Sequence, residues 1–135
     1  MRQEKHLTMI KTYRFKIPLY KIHVTLVQAT EKTDADDVRK ILVKNHIGKE
    51  YIDEVADGVR RGGCNGGETY RDFRYKRVFV FFYPYESDAI RAEVYSHEKR
   101  HIEDRVLEYF GINDIESAGL LAGFLGEQFY KFEKL

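Results

Sequence analysis

Residues 95–111 read YSHEKRHIEDRVLEYFG, with His97 and His101 four positions apart and Glu98 directly after the first. Ser87 and Asp88 upstream supply capping chemistry and Gly111 closes the run, so the sequence predicts a helix from about residue 88 to Phe110. At roughly 100° per residue the two imidazoles fall about 40° apart on one face and one turn apart along the axis, which lets both reach a common point. Glu98 is rotated about 100° from His97 and lies at the side of the pair.

That spacing suits hydrolysis of a peptide bond. A metal held by two imidazoles lowers the pKa of its water and polarises a carbonyl, while a flanking carboxylate takes a proton and passes it to the leaving amine. On a helical wheel Ala92, Tyr95, Ile102, Val106, Tyr109 and Phe110 form a core stripe, and His97 and His101 share another arc with Ile90 and Val94. Imidazoles flanked by aliphatic residues suggest a partly sheltered cleft. The plainer alternative is a solvated helix on which Glu98, Lys99, Arg100, Glu103, Asp104 and Arg105 pair around two incidental histidines.

Catalytic zinc takes three protein ligands and leaves a fourth position for water. Glu116 ranks first as the third donor, ahead of Glu127 and Asp114, although NDIE also reads as a capping box that starts a last helix at Asn113. The helix that follows contains Gly119, Gly123 and Gly126, and a glycine inside a helix costs about 1 kcal/mol relative to alanine. A packing gain is expected in return. If this glycine seam meets the histidine helix, the short connection makes the two antiparallel and turns Glu116 toward the histidine face. The reach is long: His101 to Phe110 advances about 13.5 Å, whereas Asn113 to Glu116 returns only about 4.5 Å, so the helices must splay or bend.

Working outward, YKIHVTLVQA (20–29) is β-branched and alternating and reads as a strand. TDADDVRKILVKNHIGKE (33–50) reads as a capped helix, YIDEVADGVRR (51–61) as a further short helical piece, and GGCNGGE (62–68) as a loop. ETYRDFRY (68–75) and KRVFVFFYPY (76–85) read as paired strands, the second well buried and ended by Pro84. Residues 1–15 read as a loose arm. The expected fold is α+β: a small antiparallel or mixed sheet packed on the histidine helix and a glycine-rich C-terminal helix.

With 135 residues the chain suits one domain, and 43% hydrophobic and 33% charged residues place it among folded proteins. A net charge of +1 gives no footprint for a polyanion, so no nucleic-acid partner is expected, even with Arg and Lys among the aromatics of residues 70–83. No run reaches membrane-span length and no secretory signal opens the chain, so a cytoplasmic location is expected. Cys64 is the single cysteine and excludes an internal disulfide. Cys64, His23 and His46 read as structural or surface residues.

HEKRH followed by GINDIESAGLLAGFLG resembles the gluzincin type of zincin metallopeptidases, and within it the small H-E-x-x-H proteins of bacterial viruses and mobile elements, where a segment like E-A-Y-A-Y-L-I-G follows the motif. The resemblance covers roughly residues 76–130. It implies zinc held by His97, His101 and Glu116, Glu98 as general base, a peptide or protein substrate, and a substrate strand pairing with the KRVFVFFY segment or its neighbour. The connection from His101 to Glu116 is short for that family, and small residues stand where its pattern has tyrosines. The competing expectation is a non-catalytic, zinc-stabilised binding or regulatory module of such an element.

Overall fold

The computed structural model describes residues 10–135. In chain order its elements are β1 (Lys11–Ile17), β2 (Ile22–Gln28), α1 (Ala35–Lys44), α2 (Lys49–Arg60), β3 (Gly67–Asp72), a 3₁₀ turn at Phe73–Tyr75, β4 (Arg77–Phe82), α3 (Asp88–Tyr109) and α4 (Ile115–Glu133). The fold is α+β, with a mixed four-stranded sheet in the order β1-β2-β4-β3. β2 and β4 are parallel in the middle, and β1 and β3 are antiparallel edges.

The expected arm over residues 1–15 gives way to β1 from Lys11 on; residues 1–9 lie outside the described ones. Tyr13, Phe15 and Ile17 alternate there with Thr12, Arg14 and Lys16, which is the period of a strand with one covered face. The helix expected over 33–50 ends at Lys44, and the short helical piece expected over 51–61 is a helix that begins at Lys49. Asp34 caps α1 through a reciprocal box with Asp37, the chain turns at His46 with φ +58°, and Gly48 precedes α2. β3 and β4 pair as the sequence suggests, with Thr69 opposite Val80 and Arg71 opposite Val78.

Each sheet face carries one helix pair. Val24, Leu26, Val78, Val80 and Phe82 pack against Tyr95, Ile102 and Val106 of α3 and Leu121, Leu125, Phe129 and Phe132 of α4. On the opposite face Val27, Phe79, Phe81 and Tyr83 pack against Val38 and Leu42 of α1 and Tyr51, Ile52 and Val55 of α2. Tyr95 fixes α3 to the sheet by donating its hydroxyl to Gln28 Oε1 at 2.6 Å, and burial holds its phenol well above the ordinary range, so the donor keeps its proton.

Two expectations about the last helices change. Asp114, not Asn113, is the N-cap of α4 and accepts the Ser117 N–H at 2.8 Å, which puts Glu116 on an exposed first turn. The glycine seam does not meet α3: a Cβ built at Gly119, Gly123 or Gly126 finds nothing within 4 Å. The inward face of α4 is the Leu121, Leu125, Phe129, Phe132 stripe, since burying each such side chain stabilises by about 1.5–3 kcal/mol and glycine has no area to offer. On α3 the buried stripe is Tyr95, Glu98, Ile102 and Val106, with Tyr109 54% and Phe110 37% exposed.

A candidate metal centre beside a free sheet edge

Helix α3 runs alongside β3 in the same direction. Glu98 lies over the start of the strand, where it accepts the Thr69 hydroxyl at 2.8 Å, and Tyr109 lies over its end, with its ring 4.8 Å from that of Phe73. Between the two elements is an open cleft of about 310 Å³, lined by Gly67, Thr69 and Arg71 from β3 and by His97, Glu98, His101 and Arg105 from α3. Gly67 lets the helix come close: a Cβ there would stand 3.2 Å from Glu98 Cγ and 3.3 Å from the Phe81 carbonyl oxygen.

The histidines converge as their spacing predicts. His97 Nε2 and His101 Nε2 are 3.0 Å apart, with the rings perpendicular and their centroids separated by 4.4 Å. Without a cation this is a hydrogen bond in which one ring carries its proton on Nε2 and the other presents a lone pair. Two imidazole nitrogens on a tetrahedral zinc ion stand roughly 3.3 Å apart, so a shift of a few tenths of an ångström would admit the ion. The pair therefore fits zinc.

The third donor does not arrive. Glu116 is exposed on the first turn of α4, and among the described residues no group of three or more His, Cys, Asp or Glu side chains is placed to hold a metal ion. The cause lies in the long reach: α3 stays helical to Tyr109, with Val106 fully buried, and does not end early. Glu127 is no substitute, because it is exposed and pairs with Lys131.

Glu98 is 6% exposed, although its neighbours on the helix face solvent. Thr69 satisfies Oε1, Oε2 makes no hydrogen bond to a described residue, and Glu98 lines the cleft. Thr69 is a site residue that the sequence reading missed. Its signal was the alternation in ETYRD, which sets every second residue of β3 toward α3.

The same residues carry the unpaired main chain of the edge. His23 N–H donates to the Lys76 carbonyl and Ala29 N–H to the Phe82 carbonyl, so the even-numbered residues of β4 bond to β2. Tyr83 N–H donates to the Gly66 carbonyl on the other side, and the odd-numbered residues of β4 bond to Glu68, Tyr70 and Asp72. Gly67, Thr69 and Arg71 thus direct N–H and C=O groups away from the sheet, along the cleft. The expected substrate strand cannot pair with β4, which has neighbours on both sides; its neighbour β3 has an edge that no other strand among the described residues covers.

Cys64 is exposed and lines a separate cavity of about 410 Å³ with Thr30, Gly63 and Tyr85, and no histidine lines it. No helix among the described residues is long and apolar enough to cross a membrane. Comparison of the chain with protein-family models, curated proteins and solved structures finds no match in any of the three.

Proposed function

We propose that this chain is a zinc-dependent peptide hydrolase, with His97 and His101 as metal ligands, Glu98 as general base and β3 as the strand on which substrate lies. One observation carries the reading: a buried glutamate, tied by a hydroxyl of a free edge strand, stands next to two converging imidazole nitrogens. A bound zinc ion supplies Lewis acidity and an acidified water.

The remaining work falls to the protein. The outward N–H and C=O groups of Gly67, Thr69 and Arg71 pair with an extended peptide as an added strand. Thr69 holds Glu98 Oε1, which fixes the direction of the carboxylate and leaves Oε2 to accept a proton and return it to the departing amine. In this reading Glu116 would be the third ligand, which requires the start of α4 and the Phe110–Asp114 connection to move; Gly111 in that connection holds φ +67°.

A second reading is favoured by the exposed position of Glu116: the cleft binds extended peptide without cutting it, and the histidine pair takes zinc weakly for stability. Zinc titration of the metal-free chain, with peptide cleavage followed in parallel, separates the two. For the hydrolase, His97→Ala and Glu116→Ala each lower zinc affinity at least about tenfold and abolish cleavage, since ligands to a catalytic metal act as a set. Full zinc affinity and cleavage in Glu116→Ala would remove that residue from the centre; zinc uptake without cleavage of any peptide in a mixed library would leave the binding module.

A further inference from the structure

The cleft carries cations that the proposed chemistry does not use. Arg71 follows Thr69 by two residues on β3, and Arg105 follows His101 by one turn on α3. Because strand and helix run in the same direction, from the Glu98–Thr69 contact toward the Phe73–Tyr109 stack, both guanidinium groups flank the same end of the cleft. Arg71 is exposed and makes no hydrogen bond or ion pair among the described residues. Arg105 has only an exposed contact of 3.4 Å with Glu108, whose side chain is 73% exposed. Among the described residues the single carboxylate lining the cleft, Glu98, belongs to Thr69 at the other end. Arg71 is thus unlike Arg39, which pairs with Asp53 at 2.9 Å, and unlike Arg100 and Arg105, which have exposed contacts with Asp104 and Glu108 on their own helix.

We infer that Arg71 and Arg105 form a carboxylate-recognition subsite, so that the peptides this cleft takes are acidic ones. The inference rests on the reading of β3 as a peptide rail. Two residues of strand span about 6.8 Å, which places the recognised carboxylate about two substrate positions from the residue that lies over Thr69 and the histidine pair. Planar guanidinium forks suit a carboxylate, and two of them at one end of a groove select it over a neutral amide of the same shape. The carboxylate can come from an Asp or Glu side chain or from the end of a chain.

The test is binding, read without turnover. Short fluorescein-labelled peptides of alternating Thr and Ala, amidated at the C-terminus, carry one Glu moved stepwise along the chain, with Gln at the same position as control. Fluorescence anisotropy with the full chain, once with chelator and once with zinc, is expected to show one register, or two adjacent ones, in which Glu binds roughly three- to tenfold tighter than Gln. The preference should weaken with salt and vanish in the Arg71→Gln, Arg105→Gln double variant. Tighter binding of free-acid than of amidated peptides, with the internal position indifferent, would assign the subsite to a chain end. Equal binding of Glu and Gln peptides in every register and of free-acid and amidated ends, or a preference that survives in the double variant, overturns the inference. A chain that cuts peptides without this preference fails here while the hydrolase stands, and a chain that shows the preference but never cuts does the reverse.

Discussion

The two sides of strand β3 place carboxylates in opposite circumstances. Toward α3 it presents Gly67, Thr69 and Arg71, and the nearby Glu98, which lines the cleft, has one oxygen tied by the Thr69 hydroxyl. Toward α2 it presents Glu68 and Tyr70, and Glu68 accepts the Tyr83 hydroxyl at 2.5 Å while its main-chain oxygen takes that of Tyr51. Burial raises the Glu68 carboxyl above the ordinary range, the Tyr83 bond opposes this, and the neighbouring Glu54 adds to it. Tyr51 is likewise pushed well up by burial, then by Glu68. The difference teaches that a strand with a period of two can tie one acid through a hydroxyl beside a cleft and wall another in with phenols only one residue's rise apart.

The sharpest way to break this comparison is to neutralise each acid. On the proposed hydrolase reading, Glu98→Gln lowers peptide cleavage about 10²-fold or more, the usual share of a general base, and Glu68→Gln leaves it within a few-fold. Equal losses in the two variants would erase the distinction. Next in size is a change that disturbs only the walled side. A methyl at Gly58 would run into the Tyr83 hydroxyl and displace it from Glu68, whereas one at Gly66 meets nothing within 4 Å. Gly58→Ala should therefore cost about 1–3 kcal/mol in urea unfolding, as overpacking does, with Gly66→Ala near neutral. A neutral Gly58→Ala would mean that the aromatic wall is looser than its contacts imply.

Much of this arrangement was legible before any coordinates. H-E-x-x-H fixed the helix and the meeting of its imidazoles because a four-residue offset is a local property of 3.6-residue periodicity. The pairing of β3 with β4 followed from alternation and from Pro84 at the end of the second strand. What could not be read was long-range. Whether Glu116 meets His101 depends on where α3 stops, and Val106, buried against the sheet, keeps it helical to Tyr109. The glycines suggested a helix contact by their cost alone, but cost does not name a partner, and the Leu121, Leu125, Phe129, Phe132 face took the interior. β1 was missed although Tyr13, Phe15 and Ile17 alternate, since the basic residues between them mask the period. Thr69 needed the register of β3 against α3, which no single segment contains.

The open seam offers a finer test of the cleft side. With nothing near Gly119 or Gly123, alanine at each should stabilise the metal-free protein by about 0.5–1 kcal/mol through helix propensity and a stiffer unfolded chain, seen as a higher Tm. If zinc draws the start of α4 toward α3 to deliver Glu116, the added methyls then stand between the helices, and the same variants bind zinc more weakly. Higher Tm with unchanged zinc affinity would mean that α4 stays where it is when the metal binds.

The smallest effect returns to Glu68 and is read from pH alone. A carboxyl raised in the fold above its ordinary value of 4.5 favours folding in its protonated form. That contribution is fully present below the unfolded value and is lost as pH rises through the folded one. Near neutral pH the wild type therefore carries the strain of a charge confined among phenols and beside Glu54, and Gln, which still offers an oxygen to Tyr83, does not. Glu68→Gln should unfold at higher urea than the wild type at about pH 7, with the gap closing as pH falls below the ordinary value of 4.5 and Glu68 becomes protonated in both states. Taking the difference between the two proteins cancels titrations that they share. A gap of constant size would show that the substitution acts through shape, and a reversed one that Tyr83 donates to a carboxylate that is better charged than neutral, which would make the walled side as ionic as the cleft.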